Sequence, residues 1–240
     1  MQAPPQQLAA PESFVIQGRT VTMPAIVRDA RAGNAIFLVP VRGAQRLVGD
    51  AFEVVEMAPG ETQLILGFVD YRDNDLGDYN EVMIVLLVRP RGAAGAADGT
   101  FIYKLPVDQS FTCEAGRTIW GFPKSVEQID IDYRAAQATC RLTMGGYHVF
   151  TLTVPRARPD DAAAPDMAMT TYTYLDGPMA VPFTTGGTGA AMVVGADGVE
   201  LTLGTHALAD ELRALGLPAP AIMSTWTEHM HGSFGAPRKL

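Results

Sequence analysis

Apolar and polar residues alternate in short runs along most of this chain, and glycine, proline, asparagine or aspartate closes each run. In "QIDIDY" (128–133), Ile129, Ile131 and Tyr133 share one face of an extended chain while Asp130 and Asp132 take the other. "TVTMPAIV" (20–27), "NAIFLVPV" (34–41), "TQLILGFVDY" (62–71), "EVMIVLLV" (81–88) and "GTFIYKLPV" (99–107) read as further strands. "ATCRLTM" and "YHVFTLTV" flank Gly145-Gly146, a pair that supplies the positive φ a tight hairpin needs. Many short strands in succession predict a sandwich or a barrel.

Helical patterning is sparse. "GAQRLVGD" (43–50) predicts a short helix. "THALADELRALGLP" (205–218) predicts a longer one, with Thr205 as its cap, Leu208, Leu212 and Leu215 at helical spacing, and Gly216 and Pro218 at its end. "RARPDDAAAPDM" (156–167) reads as a loop and "TTGGTGAAM" (184–192) as a glycine-rich turn. The fold class is therefore α+β and β-dominated, with a loose N-terminal arm over 1–12 and a single domain over 13–240.

Composition narrows the function. A net charge of -8 disfavours nucleic-acid partners and anionic membrane surfaces. The N-terminus lacks a basic segment followed by an apolar one, and no apolar run approaches the ~20 residues of a spanning helix. The expected location is the cytoplasm, with Cys113 and Cys140 as free thiols.

The candidate chemistry lies in "GRTIWGFPKSV" (116–126). Lys104, Lys124 and Lys239 are the only lysines of the chain, against fifteen arginines. Lys124 follows Trp120, Gly121, Phe122 and Pro123, so its approach is stiff and it has apolar neighbours. Desolvation favours a neutral amine, and a neutral amine attacks carbonyls to form a Schiff base. Arginine cannot do this. The rival motifs are weaker. "TTGGTGAAM" lacks the lysine of a phosphate loop, and "EHMHG" (228–232) lacks the helical spacing of zinc proteases, so no metal is expected.

"GRTIWGFPKSV" resembles the segment carrying the Schiff-base lysine of the acetoacetate decarboxylase family. "LGDYNEVMI" (76–84) resembles the loop carrying that family's active-site glutamate. The resemblance is carried chiefly between Leu64 and Val126 and implies an antiparallel β-barrel with a few peripheral helices. It further implies Lys124 as the imine-forming lysine, Glu81 as the proton-moving carboxylate and Arg28 as the substrate-carboxylate receptor, with Arg19 or Arg31 as alternatives. Phe122, Trp120, Tyr79 and Leu66 become substrate-contacting residues. Ser125 stands where the family's decarboxylases carry a second lysine, and ungapped counting puts Leu66 at their second glutamate. Burial alone is then left to hold the Lys124 amine neutral. The implied activity is a Schiff-base lyase acting on a small keto acid or ketone, without metal or organic cofactor, in a homo-oligomer. An aldolase–dehydratase acting on pyruvate-like keto acids and a non-catalytic small-ligand barrel are the alternatives.

Overall fold

The structure, a computed structural model, describes residues 12–92, 97–156 and 163–240, and the arm expected over 1–12 falls almost wholly outside them. Seven strands close a barrel: Ala25–Pro40, Glu61–Asn74, Tyr79–Pro90, Gly99–Val107, Ala164–Tyr174, Pro178–Val194 and Met223–Phe234. The pairings are antiparallel except between Gly99–Val107 and Ala164–Tyr174, where Thr171 lies parallel to Thr100. A second, four-stranded antiparallel sheet is built from Gln128–Tyr133, Gln137–Met144, Tyr147–Pro155 and Glu200–Leu203.

Period-2 alternation sorts the barrel residues into two sets. Leu64, Leu66, Phe68, Val82, Ile84 and Leu86 face outward and share an apolar core with Cys140, Leu142, Phe150 and Leu152 of the second sheet. Val69, Tyr71, Tyr79, Val85, Ile102 and Leu105 face inward and join a separate interior cluster. Burial on both faces explains why "EVMIVLLV" is apolar at nearly every position.

Several elements differ from the sequence reading. The runs at 20–27 and 34–41 are read as two strands, yet Ala25–Pro40 is one continuous strand of 16 residues. Its charged centre is held by carboxylates of neighbouring strands, Asp70 and Asp73 among them. "TTGGTGAAM" lies inside the strand Pro178–Val194 rather than in a turn. A Cβ at Gly187 would collide with the His229 carbonyl, so the glycine there permits close strand contact. The segment read as a loop over 156–167 enters a strand at Ala164. The helix Ala207–Ala214 is capped by His206, whose ring accepts the Leu208 N–H at 3.1 Å, and not by Thr205. The hairpin at Gly145-Gly146 has φ of 55° and 83°, as expected.

Candidate active site

The lysine segment is shaped by an element that the apolar periodicity does not reveal. A short helix, Ser110–Ala115, continues into one wider turn, Gly116–Trp120. The Gln109 side chain accepts the Thr112 N–H at 2.9 Å and so caps the helix. Gly121 then reverses the chain with a φ of 69°, and a Cβ there would strike the Tyr174 carbonyl. Trp120 donates its indole N–H to the Gly235 carbonyl at 2.9 Å, and Thr173 donates its hydroxyl to the Gly121 carbonyl at 2.7 Å. Trp120 and Phe122 stack with ring centroids 5.6 Å apart. Pro123 delivers the chain into the strand Lys124–Val126, which pairs in parallel with Leu105–Val107. These anchors turn the Lys124 side chain into the barrel.

Lys124 is buried, with its side chain 3% exposed. Its Nζ lies 2.8 Å from Glu81 Oε2, donates to Thr112 Oγ1 at 3.0 Å, and sits 5.0 Å from the centre of the Tyr79 ring. The Lys124 stem packs on Gly116, where an added Cβ would come within 2.6 Å of Cδ. Tyr71 donates its hydroxyl to Glu81 Oε1 at 3.3 Å and stacks on Tyr79. Thr112, Tyr71 and Gly116 are site residues that the sequence reading missed. Thr112 and Tyr71 arrive from a helix and a strand outside the two recognisable segments, while Gly116 opens the lysine segment and only its packing on the Lys124 stem reveals its role.

The electrostatics correct one expectation. Burial by itself lowers the proton affinity of Lys124, but Glu81 and Tyr79 oppose it, and the net pKa is raised above the ordinary lysine value. Burial alone therefore does not hold this amine neutral at rest. Burial pushes the Tyr79 phenol up to about 12 and raises that of Tyr71 further. Both phenols remain protonated and able to donate at neutral pH. At 2.8 Å, Glu81 Oε2 is within reach to accept a proton from the Lys124 amine.

Lys124 and Glu81 open onto a cavity of about 390 Å³ inside the barrel. Trp120, Phe122 and Tyr79 line it, as expected. Leu66 does not: its neighbours Ile65 and Gly67 take the inward positions, and alternation points Leu66 into the core behind the barrel wall. Arg28 does not either. It is half exposed and bonds Asp73 and Asp75 at 2.7 Å each, outside the cavity. The two alternatives are also engaged elsewhere, Arg19 over the Phe111 ring and Arg31 with Glu228 at 2.7 Å. Among the described lining residues no arginine occurs, and Glu81 is the one carboxylate. His229 and His231 turn to separate acids, Asp29 at 3.1 Å and Asp166 at 2.7 Å. Cys113 and Cys140 are buried free thiols. Among the described residues no helix is long and apolar enough to cross a membrane.

Comparison with known proteins agrees with the fold. The family profile described as acetoacetate decarboxylase matches residues 14–231. An acetoacetate decarboxylase from Legionella pneumophila superposes with a TM-score of 0.67 at 17% identity, covering 100% of this chain and 98% of that one. The enduracididine biosynthesis enzyme MppR, complexed with pyruvate, gives 0.64 at 16% identity, covering 96% and 98%. An acetoacetate decarboxylase-like enzyme from Sphingomonas wittichii RW1 gives 0.51 at 14% identity, covering 89% and 93%. No curated protein sequence matches the chain. The profile spans most of the sequence, and the chain belongs to the acetoacetate decarboxylase family.

Proposed function

We propose that this member of the acetoacetate decarboxylase family is a Schiff-base lyase in which Lys124 forms an imine with a keto acid and a carbon–carbon bond at the α-carbon then breaks, with loss of carbon dioxide. The observation that carries the reading is the buried Lys124–Glu81 pair, 2.8 Å apart and opening onto an apolar cavity. Glu81 takes a proton from Lys124, and the neutral amine adds to the ketone carbon. Glu81 returns the proton to the carbinolamine hydroxyl, which leaves as water and gives a protonated imine. That cation pairs with the substrate carboxylate, so no arginine is needed to hold it. The carboxyl–carbon bond breaks, carbon dioxide leaves, and the electron pair passes through the imine to give an enamine. A solvent proton relayed by Glu81 reaches the enamine carbon, and water then releases the ketone and restores Lys124. Each turnover consumes one proton. The imine is the electron sink, so the reading requires neither metal nor organic cofactor. The phenols of Tyr71 and Tyr79 and the Thr112 hydroxyl hold Glu81, Lys124 and the carbinolamine oxygen in line. MppR was solved with pyruvate, which lends weight to keto acids as the substrate class.

Borohydride reduction in the presence of acetoacetate or pyruvate tests this. A stable adduct on the peptide containing Lys124, absent from Lys124→Met, is the expected result. A folded wild-type protein that forms no adduct with any keto acid or ketone overturns it.

A further inference from the structure

Resting on the imine reading above, we infer that the substrate is a 3-oxo acid with an unbranched apolar tail of about ten carbons, extended along the barrel axis away from Lys124. The inward residues stack in rungs that the strand register fixes. Glu81 faces Val69, which faces Ala32. One rung deeper, Met83, Gly67 and Asn34 align. At the third, Val85, Ile65 and Ile36 align, and Ile102 pairs with Val85. All three rungs line the same cavity. Four residues from Glu81 to Val85 at ~3.3 Å each give a depth of about 13 Å. A staggered chain of ~1.5 Å bonds advances about 1.3 Å per bond, so about ten carbons reach the third rung.

Charge and polarity in the cavity follow the same axis. Lys124, Glu81, Tyr71 and Tyr79 cluster at the first rung, where the 3-oxo carboxylate meets the imine. The middle rung offers Asn34 and Thr225, which satisfy each other: the Asn34 amide donates to Thr225 Oγ1 at 3.2 Å. The floor is walled by the aliphatic side chains of Ile36, Ile65, Val85 and Ile102, and the two hydroxyls that line the cavity beside it, Thr100 and Thr171, are bonded to each other at 2.9 Å. A second polar end on the substrate would lie unpartnered there, at a cost that a hydrocarbon avoids. A four-carbon keto acid would leave the lower rungs empty. The cavity of about 390 Å³ falls within the range of pockets that enclose larger ligands, roughly 300–1,000 Å³.

The test compares 3-oxo acids of four, eight, twelve and sixteen carbons by the concentration that gives half-maximal borohydride trapping at Lys124. The expected result is a fall of about fourfold per added methylene, levelling once the floor is reached. Val85→Phe raises the floor and is expected to bring that levelling to a shorter chain. A separate measurement needs no imine. Lys124→Met is titrated with 1-butanol and 1-octanol while the fluorescence of Trp120 in the cavity wall is followed, and octanol is expected to bind at least tenfold more tightly. Trapping that does not improve with length, with no preference for octanol, overturns the tail while leaving the imine standing. A clear preference for octanol in a protein that traps nothing supports the tail and overturns the imine. Neither trapping nor alcohol binding overturns both.

Discussion

Gly116 separates a chemical role for Lys124 from a structural one. Its backbone is helical, with φ -60° and ψ -41°, so alanine introduces no strain there. An alanine Cβ would lie 2.6 Å from Lys124 Cδ and 2.8 Å from Cε. Carbon atoms rest about 3.5–4.0 Å apart, so the lysine stem has to retreat by about 1 Å. The tip is pinned at 2.8 Å to Glu81 and 3.0 Å to Thr112, and that retreat breaks or bends both contacts. A 1 Å misplacement of a reacting group costs on the order of 100-fold in rate. Overpacking costs roughly 1–3 kcal/mol, and the alanine regains about 0.4–1 kcal/mol by restricting the unfolded chain. The net loss of stability is therefore about 0–3 kcal/mol, a fall in Tm of less than about 12 °C for a chain of this length. The assay is the rate of borohydride trapping at Lys124 with the best carbonyl substrate, beside a thermal melt. Gly116→Ala is expected to stay folded and to trap about 100-fold more slowly. Trapping at the wild-type rate in the folded variant would refute the claim that the Lys124 tip is held by its stem.

Glu81→Gln removes the first cause that raises the Lys124 pKa and leaves burial opposed only by Tyr79, so the amine's proton affinity falls. The pH profile of adduct formation should move to lower pH relative to wild type while turnover is lost, because no carboxylate remains to move protons; an unmoved profile contradicts the pairing. Glu228 bonds Arg31, Arg156 and the Trp226 indole between barrel and second sheet, and despite its burial those partners lower its pKa. A lowered carboxylate pKa stabilises the fold above the unfolded value of about 4.3, and that stability is lost as pH falls through the folded value. Glu228→Gln should therefore cost about 1.5–3 kcal/mol at pH 7, with the gap to wild type closing below pH 4 in urea melts followed by fluorescence; a gap that does not vary with pH refutes the assignment.

What the sequence made legible and what it hid follow from the same alternation. "GTFIYKLPV" and "QIDIDY" coincide with the strands Gly99–Val107 and Gln128–Tyr133, because turn residues bound the first run and charged residues, Glu127 and Arg134, bound the second. The strand Pro178–Val194 was not legible, since its glycines mark close strand contact rather than a turn, and the two uses look alike in one sequence. Lys124 and Glu81 were legible because each sits in a compact local motif. Thr112 and Tyr71 were not, since their roles arise only when helix and strand are brought together. Leu66 and Arg28 show the limit of carrying positions across gaps. A one-residue offset on a strand moves a side chain from the cavity to the opposite face, as it does for Leu66. For Arg28 the decisive fact is the acids it meets: Asp73 near the end of the adjoining strand and Asp75 just beyond it hold its guanidinium outside. With that arginine turned away, the Lys124 nitrogen is the cation left to meet a substrate carboxylate under the proposed mechanism. Glu81 already neutralises the resting ammonium at 2.8 Å, so apolar contact along the rungs below has to supply most of the initial binding.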